Sequence, residues 1–202
     1  ADILNRAAET ENLPVVRRAA ETINQTVAAQ GKLIDDLLDF SRLHTGKLSL
    51  NRRPIALAPV IASAVEIVRF DATGKQIELE VILSDSQDDP LIVEADAVRV
   101  EQIVWNLLSN AIKFTQPGGR VKVALEREEE AAKLVVEDTG RGIAPDFLPH
   151  VFDMFRQEDP RTTKPHGGLG IGLALVWQLV ELHGGRVAAE SAGIGRGARF
   201  TV

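Results

Sequence analysis

The sequence predicts an α+β protein, a two-layer α/β sandwich preceded by an α-helical hairpin. Three observations carry this. Apolar residues between Val16 and Leu38 recur at alternating three- and four-residue steps, the spacing of a helical seam. Ala97 to Phe114 keeps a helical period throughout. Val121 to Arg127 and Lys133 to Glu137 instead alternate with a period of two, as an antiparallel pair does.

Residues 1–48 read as the hairpin. A first helix ends near Thr10, and Glu11-Asn12-Leu13-Pro14 forms a turn. Asn12 can cap the second helix and Pro14 is tolerated in its first turn. That helix runs to Thr45, where Gly46 is the natural terminator. Its seam comprises Val16, Ala20, Ile23, Val27, Ile34, Leu37 and Leu38, interrupted by Gln30. Two helices cannot bury such a seam alone. The spacing predicts a homodimer joined in a four-helix bundle, the alternative being packing against the rest of the same chain.

Residues 49–202 alternate helix and strand. Leu48 to Pro54 is a short strand and Leu57 to Phe70 an amphipathic helix. Ile77 to Leu83 and Leu91 to Glu94 are strands around the polar turn Ser84 to Pro90. The Ala97 helix ends in Gln116-Pro117-Gly118-Gly119, which has good turn chemistry. After the antiparallel pair, Asp138 to Gly170 is rich in loops. Ile171 to Leu182 is a helix stopped by Gly184-Gly185, and Arg186 to Glu190 and Ala198 to Val202 are the last strands. This order suggests one mixed sheet under a helical layer.

Composition narrows the function. The 202 residues carry 23 basic and 29 acidic side chains, a net charge of -6 that repels phosphate backbones and excludes nucleic acid as a partner. Cysteine is absent, so thiolate metal sites and disulfides are impossible; this suits a cytoplasmic setting, with the parent protein membrane-anchored or not. The most apolar run, Ile171 to Val180, is about half the length a bilayer needs. The abrupt start at Ala1 and the end within a strand suggest a piece of a longer chain.

Three motifs carry chemistry. On the Ala97 helix, Asn106, Asn110 and Lys113 stand at i, i+4 and i+7 and share one face among apolar neighbours. Carboxamide oxygens are hard ligands suited to Mg²⁺, and a lysine one turn along can neutralise phosphate. Asp138-Thr139-Gly140-Arg141-Gly142 follows a strand. It reads either as an ordinary Asx-turn or as a carboxylate that accepts from an exocyclic amine such as that of adenine, beside glycines that admit a flat ring. His166 to Leu173 is glycine-rich and leads into a helix, where free N–H groups and the helix dipole favour phosphate. The Walker pattern is missing, since neither Gly46-Lys47 nor Gly74-Lys75 has its required neighbours. A dinucleotide fold fails because no strand precedes Gly168.

In this order the motifs resemble the histidine kinase branch of the ATPase superfamily that also holds DNA gyrase, the Hsp90 chaperone and the MutL repair protein. Asn106-Leu107-Leu108-Ser109-Asn110-Ala111-Ile112-Lys113 is similar to its N box, and Asp138 to Gly142 to its first glycine box. Phe152-Asp153-Met154-Phe155 is similar to its F box and Gly168-Leu169-Gly170-Ile171-Gly172 to its second glycine box. Leu33 to Leu50 resembles the end of the second dimerisation helix.

The resemblance implies a Bergerat-type ATP-binding fold and the catalytic core of a two-component sensor kinase. Such a core takes ATP and Mg²⁺, dimerises through its N-terminal helices and signals to a response regulator receiver domain. Asn110 would ligate Mg²⁺ with Asn106 supporting it, Lys113 would meet phosphate, and Asp138 would fix the adenine amine. Gly140 and Gly142 would shape the pocket, and Phe152 and Phe155 would anchor a lid near residues 156–168. Gly168, Gly170 and Gly172 would embrace phosphates, with Lys164 as a lid cation. Hydrolytic relatives carry a glutamate at the position of Asn106; an amide cannot activate water, so the comparison implies transfer to a side chain. A non-catalytic ATP-sensing dimerisation module is the alternative.

Two departures stand out. Gly195-Arg196-Gly197 is followed by Ala198 where the family commonly has threonine after its last glycine box. None of His44, His150, His166 and His183 has the acceptor's histidine-acid-arginine-proline setting, so the acceptor is expected upstream of Ala1 and the chain alone is not expected to phosphorylate itself.

Overall fold

The computed structural model describes residues 45–83, 90–128, 131–158 and 170–202, together with positions 19, 20, 23, 27, 30, 31, 34, 37–39 and 41–43. The chain divides into two compact units, Ala1–Leu48 and Ser49–Val202. The expected first helix and the turn at residues 11–14 lie outside the described residues, as does His44.

In the first unit every described position from 19 to 43 is helical. Ile23, Val27, Ile34, Leu37 and Leu38 are exposed, whereas Ala20 and Asp39 are buried. The helix stops at Gly46, whose φ of +65° is left-handed. Its last carbonyls find backbone donors there, with Lys47 N–H donating to Arg42 O at 2.8 Å and Gly46 N–H to Leu43 O at 3.0 Å.

The second unit contains, in order, β1 (Arg53–Ala56), α1 (Leu57–Gly74), β2 (Glu78–Leu83), β3 (Ile92–Ala95), α2 (Ala97–Phe114), β4 (Arg120–Glu128) and β5 (Ala131–Asp138). After a 3-10 turn at Leu148–His150 come α3 (Gly172–His183), β6 (Ala188–Glu190) and β7 (Ala198–Thr201). Five strands form a mixed sheet in the order β2-β4-β5-β7-β6, parallel between β2 and β4 and antiparallel elsewhere. The helices cover it as one layer, with α2 between α1 and α3. Ile61 and Val65 of α1, Val104, Leu107 and Leu108 of α2, and Leu175 and Leu179 of α3 meet Val121, Val123 and Val136 of the sheet in a closed core. Burying each such side chain contributes about 1.5–3 kcal/mol, which makes α2 the best anchored helix. Among the described residues, no helix is long and apolar enough to cross a membrane.

Two pairings go beyond what the sequence shows. The strands on either side of residues 84–89 are not partners. β2 runs parallel to β4, while β3 pairs with β1 in a separate two-stranded ribbon, with Arg53 opposite Ala95. Alternation identifies a strand but not its partner. The strand read at Leu48 to Pro54 begins only at Arg53; Pro54 is tolerated because the ribbon is short and open at its edge.

Asp96 joins ribbon, α2 and α3. Its carboxylate accepts from Val98 N–H at 3.1 Å and Arg99 N–H at 3.4 Å, capping α2, and from Asn51 N–H at 3.0 Å. Its own N–H donates to His183 Nε2 at 3.1 Å, and His183 Nδ1 lies 2.7 Å from Leu179 O. His183 therefore ties the last turn of α3 to the start of α2 through its two ring nitrogens. Replacing Asp96 by Ala should lower unfolding stability by about 1–2 kcal/mol, and Asp96→Asn should recover most of it, as read by urea denaturation.

Candidate functional site

The polar face of α2 grades from core to solvent. Asn106 is 4% exposed, Asn110 is half-buried and Lys113 is exposed. Among the described residues, the buried Asn106 Nδ2 has no hydrogen-bond partner. Leaving such a donor unpaired costs about 1–3 kcal/mol, so the arrangement calls for a ligand or water at that atom. The first residue of α3, Gly172, lies directly against it, since a Cβ there would stand 3.3 Å from Asn106 Oδ1. No side chain caps the N-terminus of α3. The helix start thus lies beside the Asn106 amide, and the N–H groups and dipole of a helix N-terminus suit anions.

Asp138 ends β5, opposite Val121 on one side and Ala198 on the other. It is 8% exposed. Its Oδ1 accepts from Gly140 N–H at 2.8 Å, so the Asx-turn read from sequence is present. Burial raises the Asp138 pKa, opposed by the N–H donors of Gly140 and Ala198. A buried carboxylate with so few donors retains capacity to accept another hydrogen bond.

The loop after Asp138 is held on two sides. Arg141 N–H donates to Phe114 O at 3.1 Å, at the end of α2. A Cβ at Gly140 would come within 2.5 Å of that same oxygen, so the backbones approach too closely for any side chain. On the other side, Gly195 N–H donates to Arg141 O at 2.6 Å and Gly197 N–H to Gly140 O at 3.2 Å. Gly142 sits at φ +71° against the Gly193 carbonyl, which combines a left-handed backbone with no room for a Cβ. The Gly195 to Gly197 segment therefore packs on the first glycine loop although Ala198 departs from the expected pattern.

Two cations meet the Phe114 ring, Lys113 Nζ at 4.9 Å and Arg141 Cζ at 4.4 Å from its centroid. The protein around the Lys113 ammonium, and secondarily the Arg141 charge, lower the Lys113 pKa. Arg141 also pairs with Glu158 at 2.9 Å, and Glu158 accepts from Ala144 N–H at 2.7 Å.

Phe152 packs edge-on against Phe200, 6.3 Å between centroids. Phe155 is 59% exposed and takes a φ of +57°. Its N–H donates to Gly170 O at 3.1 Å, which brings together the chain on either side of residues 159–169. Lys164, His166 and Gly168 lie outside the described residues.

The fold thus brings Asn106 and Gly172 together, and Lys113 together with Gly140 and Asp138 through Phe114 and Arg141. Phe114, Arg141 and Glu158 escaped the sequence reading as functional contacts. Arg141 lay within a recognised motif, but only the fold reveals its partner across the chain. Among the described residues, no cluster of three or more His, Asp or Glu groups could hold a metal. A single carboxamide oxygen at Asn110 fits Mg²⁺, which is bound by few protein ligands and completed by phosphate and water. Asp138 also borders an open pocket of about 370 Å³ near Glu190 and Arg199, which includes none of the α2 polar residues and is a separate feature.

Residues 95–202 match the family described as histidine kinase-, DNA gyrase B-, and HSP90-like ATPase. The circadian input-output histidine kinase CikA of Synechococcus elongatus is 40% identical over 173 residues, which is 85% of this chain and 22% of that protein. The chain spans about a fifth of the length of the curated relatives it matches. The mycobacterial sensor histidine kinase MprB superposes with a TM-score of 0.63 at 33% identity, over 74% of this chain and 94% of that one. Full-length ShkA in complex with AMPPNP superposes with a TM-score of 0.72 at 29% identity, over 93% of this chain and 36% of that one.

The Asp138 environment has a measurable consequence. Its pKa is raised by folding, so the folded state holds this proton more tightly than the unfolded chain. Once ionised, the group opposes folding; this opposition fades as pH falls through the raised folded pKa and is gone below the unfolded one. Asp138→Asn should therefore be at least as stable as the wild type at neutral pH. In paired urea titrations its advantage should vanish as the pH drops through the carboxylate range.

Proposed function

The chain belongs to the histidine kinase-, DNA gyrase B-, and HSP90-like ATPase family as the ATP-binding domain of a sensor histidine kinase, and we propose that it binds Mg-ATP and delivers the γ-phosphoryl group to a histidine side chain. The observation that carries this reading is the buried Asn106 amide, whose nitrogen has no partner among the described residues. It faces the start of α3 and shares a helix face with Asn110 and Lys113.

Each residue then has a task. The Asp138 carboxylate accepts from the exocyclic amine of adenine, and the close packing of Gly140 and Gly142 leaves the flat ring room. Asn106 Nδ2 donates to a phosphate oxygen or a water on it. Asn110 would hold Mg²⁺ through its carboxamide oxygen, and the ion when bound supplies charge neutralisation across the phosphates. Lys113 and the N–H groups at the start of α3 face the same charge. Phe152 and Phe155 would anchor a lid, of which Lys164 and Gly168 would be part, with Gly170 at its return.

Catalysis in this scheme is positioning rather than covalent chemistry by the domain. The acceptor imidazole nitrogen supplies the electron pair that forms the P–N bond. The bond between the γ-phosphorus and the β–γ bridging oxygen breaks, and ADP leaves with that pair. An amide at position 106 has no basicity to activate water, which favours transfer over hydrolysis. The intact protein would dimerise through the N-terminal helices, whose apolar positions Ile23, Val27, Ile34 and Leu37 are exposed in the single chain, and would pass the phosphoryl group to a response regulator receiver domain.

Titration with a fluorescent ATP analogue tests this reading. The wild type should bind, Asp138→Ala should lose at least about tenfold in affinity, and Asn110→Ala should bind equally with or without Mg²⁺. No binding by the wild type would overturn it. The pH profile carries a second expectation. Affinity should fall on the alkaline side below the usual lysine range as Lys113 loses its proton, and on the acid side above the usual aspartate range as Asp138 gains one. Lys113→Met should flatten the alkaline limb alone.

A further inference from the structure

The C-terminal end of α2 is closed by a side chain from outside the motifs. Lys75 follows α1 and projects its ammonium onto the end of α2. It donates to Ile112 O at 2.7 Å, Lys113 O at 2.8 Å and Thr115 O at 3.0 Å. The remaining carbonyls of that turn have other donors. Ala111 O accepts from Thr115 N–H at 3.0 Å and from Thr115 Oγ1 at 2.7 Å, and Phe114 O accepts from Arg141 N–H at 3.1 Å. A helix ordinarily leaves these oxygens to water, and here they converge on one half-buried cation at the negative end of the helix dipole. Burial lowers the Lys75 pKa, as expected of an ammonium that has exchanged water for carbonyl oxygens.

Three carbonyl oxygens around one compact positive charge is also the donor set of a monovalent cation site. We propose that Lys75 is a positioning residue that serves as a built-in monovalent cation, fixing the turn from which Lys113 reaches phosphate. The inference rests on the nucleotide reading above for its consequence, but the clamp itself is independent of it. Lys75 grips the carbonyls on both sides of the Lys113 residue. The next carbonyl, Phe114 O, is the contact that seats Arg141 and Gly140. Without the clamp, the last turn of α2 is free to fray, and the Lys113 ammonium loses its fixed origin.

The test compares Lys75→Met, which keeps the stem and removes the charge, with Lys75→Ala, which opens the space. In Lys75→Met the affinity for ATP should fall roughly tenfold, while affinity for adenosine, which lacks phosphate, stays within about twofold. In nucleotide-free protein, amide hydrogen exchange at Thr115 and Arg141 should quicken. In Lys75→Ala, ammonium or potassium chloride should restore ATP affinity, whereas tetramethylammonium chloride at equal ionic strength should not. Unchanged ATP affinity in Lys75→Met, equal loss of ATP and adenosine, absence of rescue, or failure of Lys75→Met to fold would each overturn the assignment. Should the wild type itself not bind ATP, the proposed function fails, and the exchange measurement still decides whether Lys75 clamps the turn.

Discussion

The contact on which the site depends is the meeting of two backbones, the end of α2 and the loop after β5. Phe114 O receives Arg141 N–H, and Gly140 passes so close to the same oxygen that no Cβ fits. This one approach fixes how the polar face of α2 stands relative to the Asp138 carboxylate. Everything else reinforces it. The core residues Val104, Leu107 and Leu108 hold α2 to the sheet, the Asp96 cap fixes its start, and the Gly195 to Gly197 segment presses the loop from the far side. A hydrogen bond of this kind contributes only about 1 kcal/mol. Its importance is geometric, because the two halves of the site lie on different elements.

The site is electrostatically costly, and the cost is informative. Asn106 buries a donor with no partner among the described residues, and Asp138 buries a carboxylate whose pKa rises in consequence. Lys113 stands near another cation, Arg141, over a shared ring. Each arrangement is unfavourable by itself, by about 1–3 kcal/mol for the orphaned amide. The apolar side of the same helix offsets this, since each fully buried leucine or valine contributes about 1.5–3 kcal/mol. A helix with so strong an anchor can carry a face arranged for something other than stability. Two clustered cations, unsatisfied donors and a helix start are the complement of an anionic ligand.

Much of this was legible in the sequence. The bounds of α2 were readable because its period and its Pro-Gly turn agree. The face of Asn106, Asn110 and Lys113 follows from helix geometry alone. What stayed hidden was whatever depends on distant partners. β2 and β3 read as strands around a turn, yet they belong to different sheets, because alternation records which face is buried and not which strand lies alongside. Lys75 read only as a residue that failed to complete a phosphate motif, and its three carbonyl partners lie 37 to 40 positions away. The tie of the Phe155 N–H to Gly170 O likewise joins positions 15 apart across the loop.

The identity of residue 106 decides which chemistry this framework can support. The position is buried and lies beside the start of α3. A carboxylate in such a place would have its pKa raised by burial and could take a proton from water. An amide in the same place presents a donor and an acceptor but no base. It can orient a phosphate and its attendant water without activating that water. The nucleotide then retains its γ-phosphoryl group until a better nucleophile arrives. In the proposed role that nucleophile is an imidazole brought by another element. In that role, an amide in place of a base disarms hydrolysis and makes the domain dependent on a partner surface for its reaction.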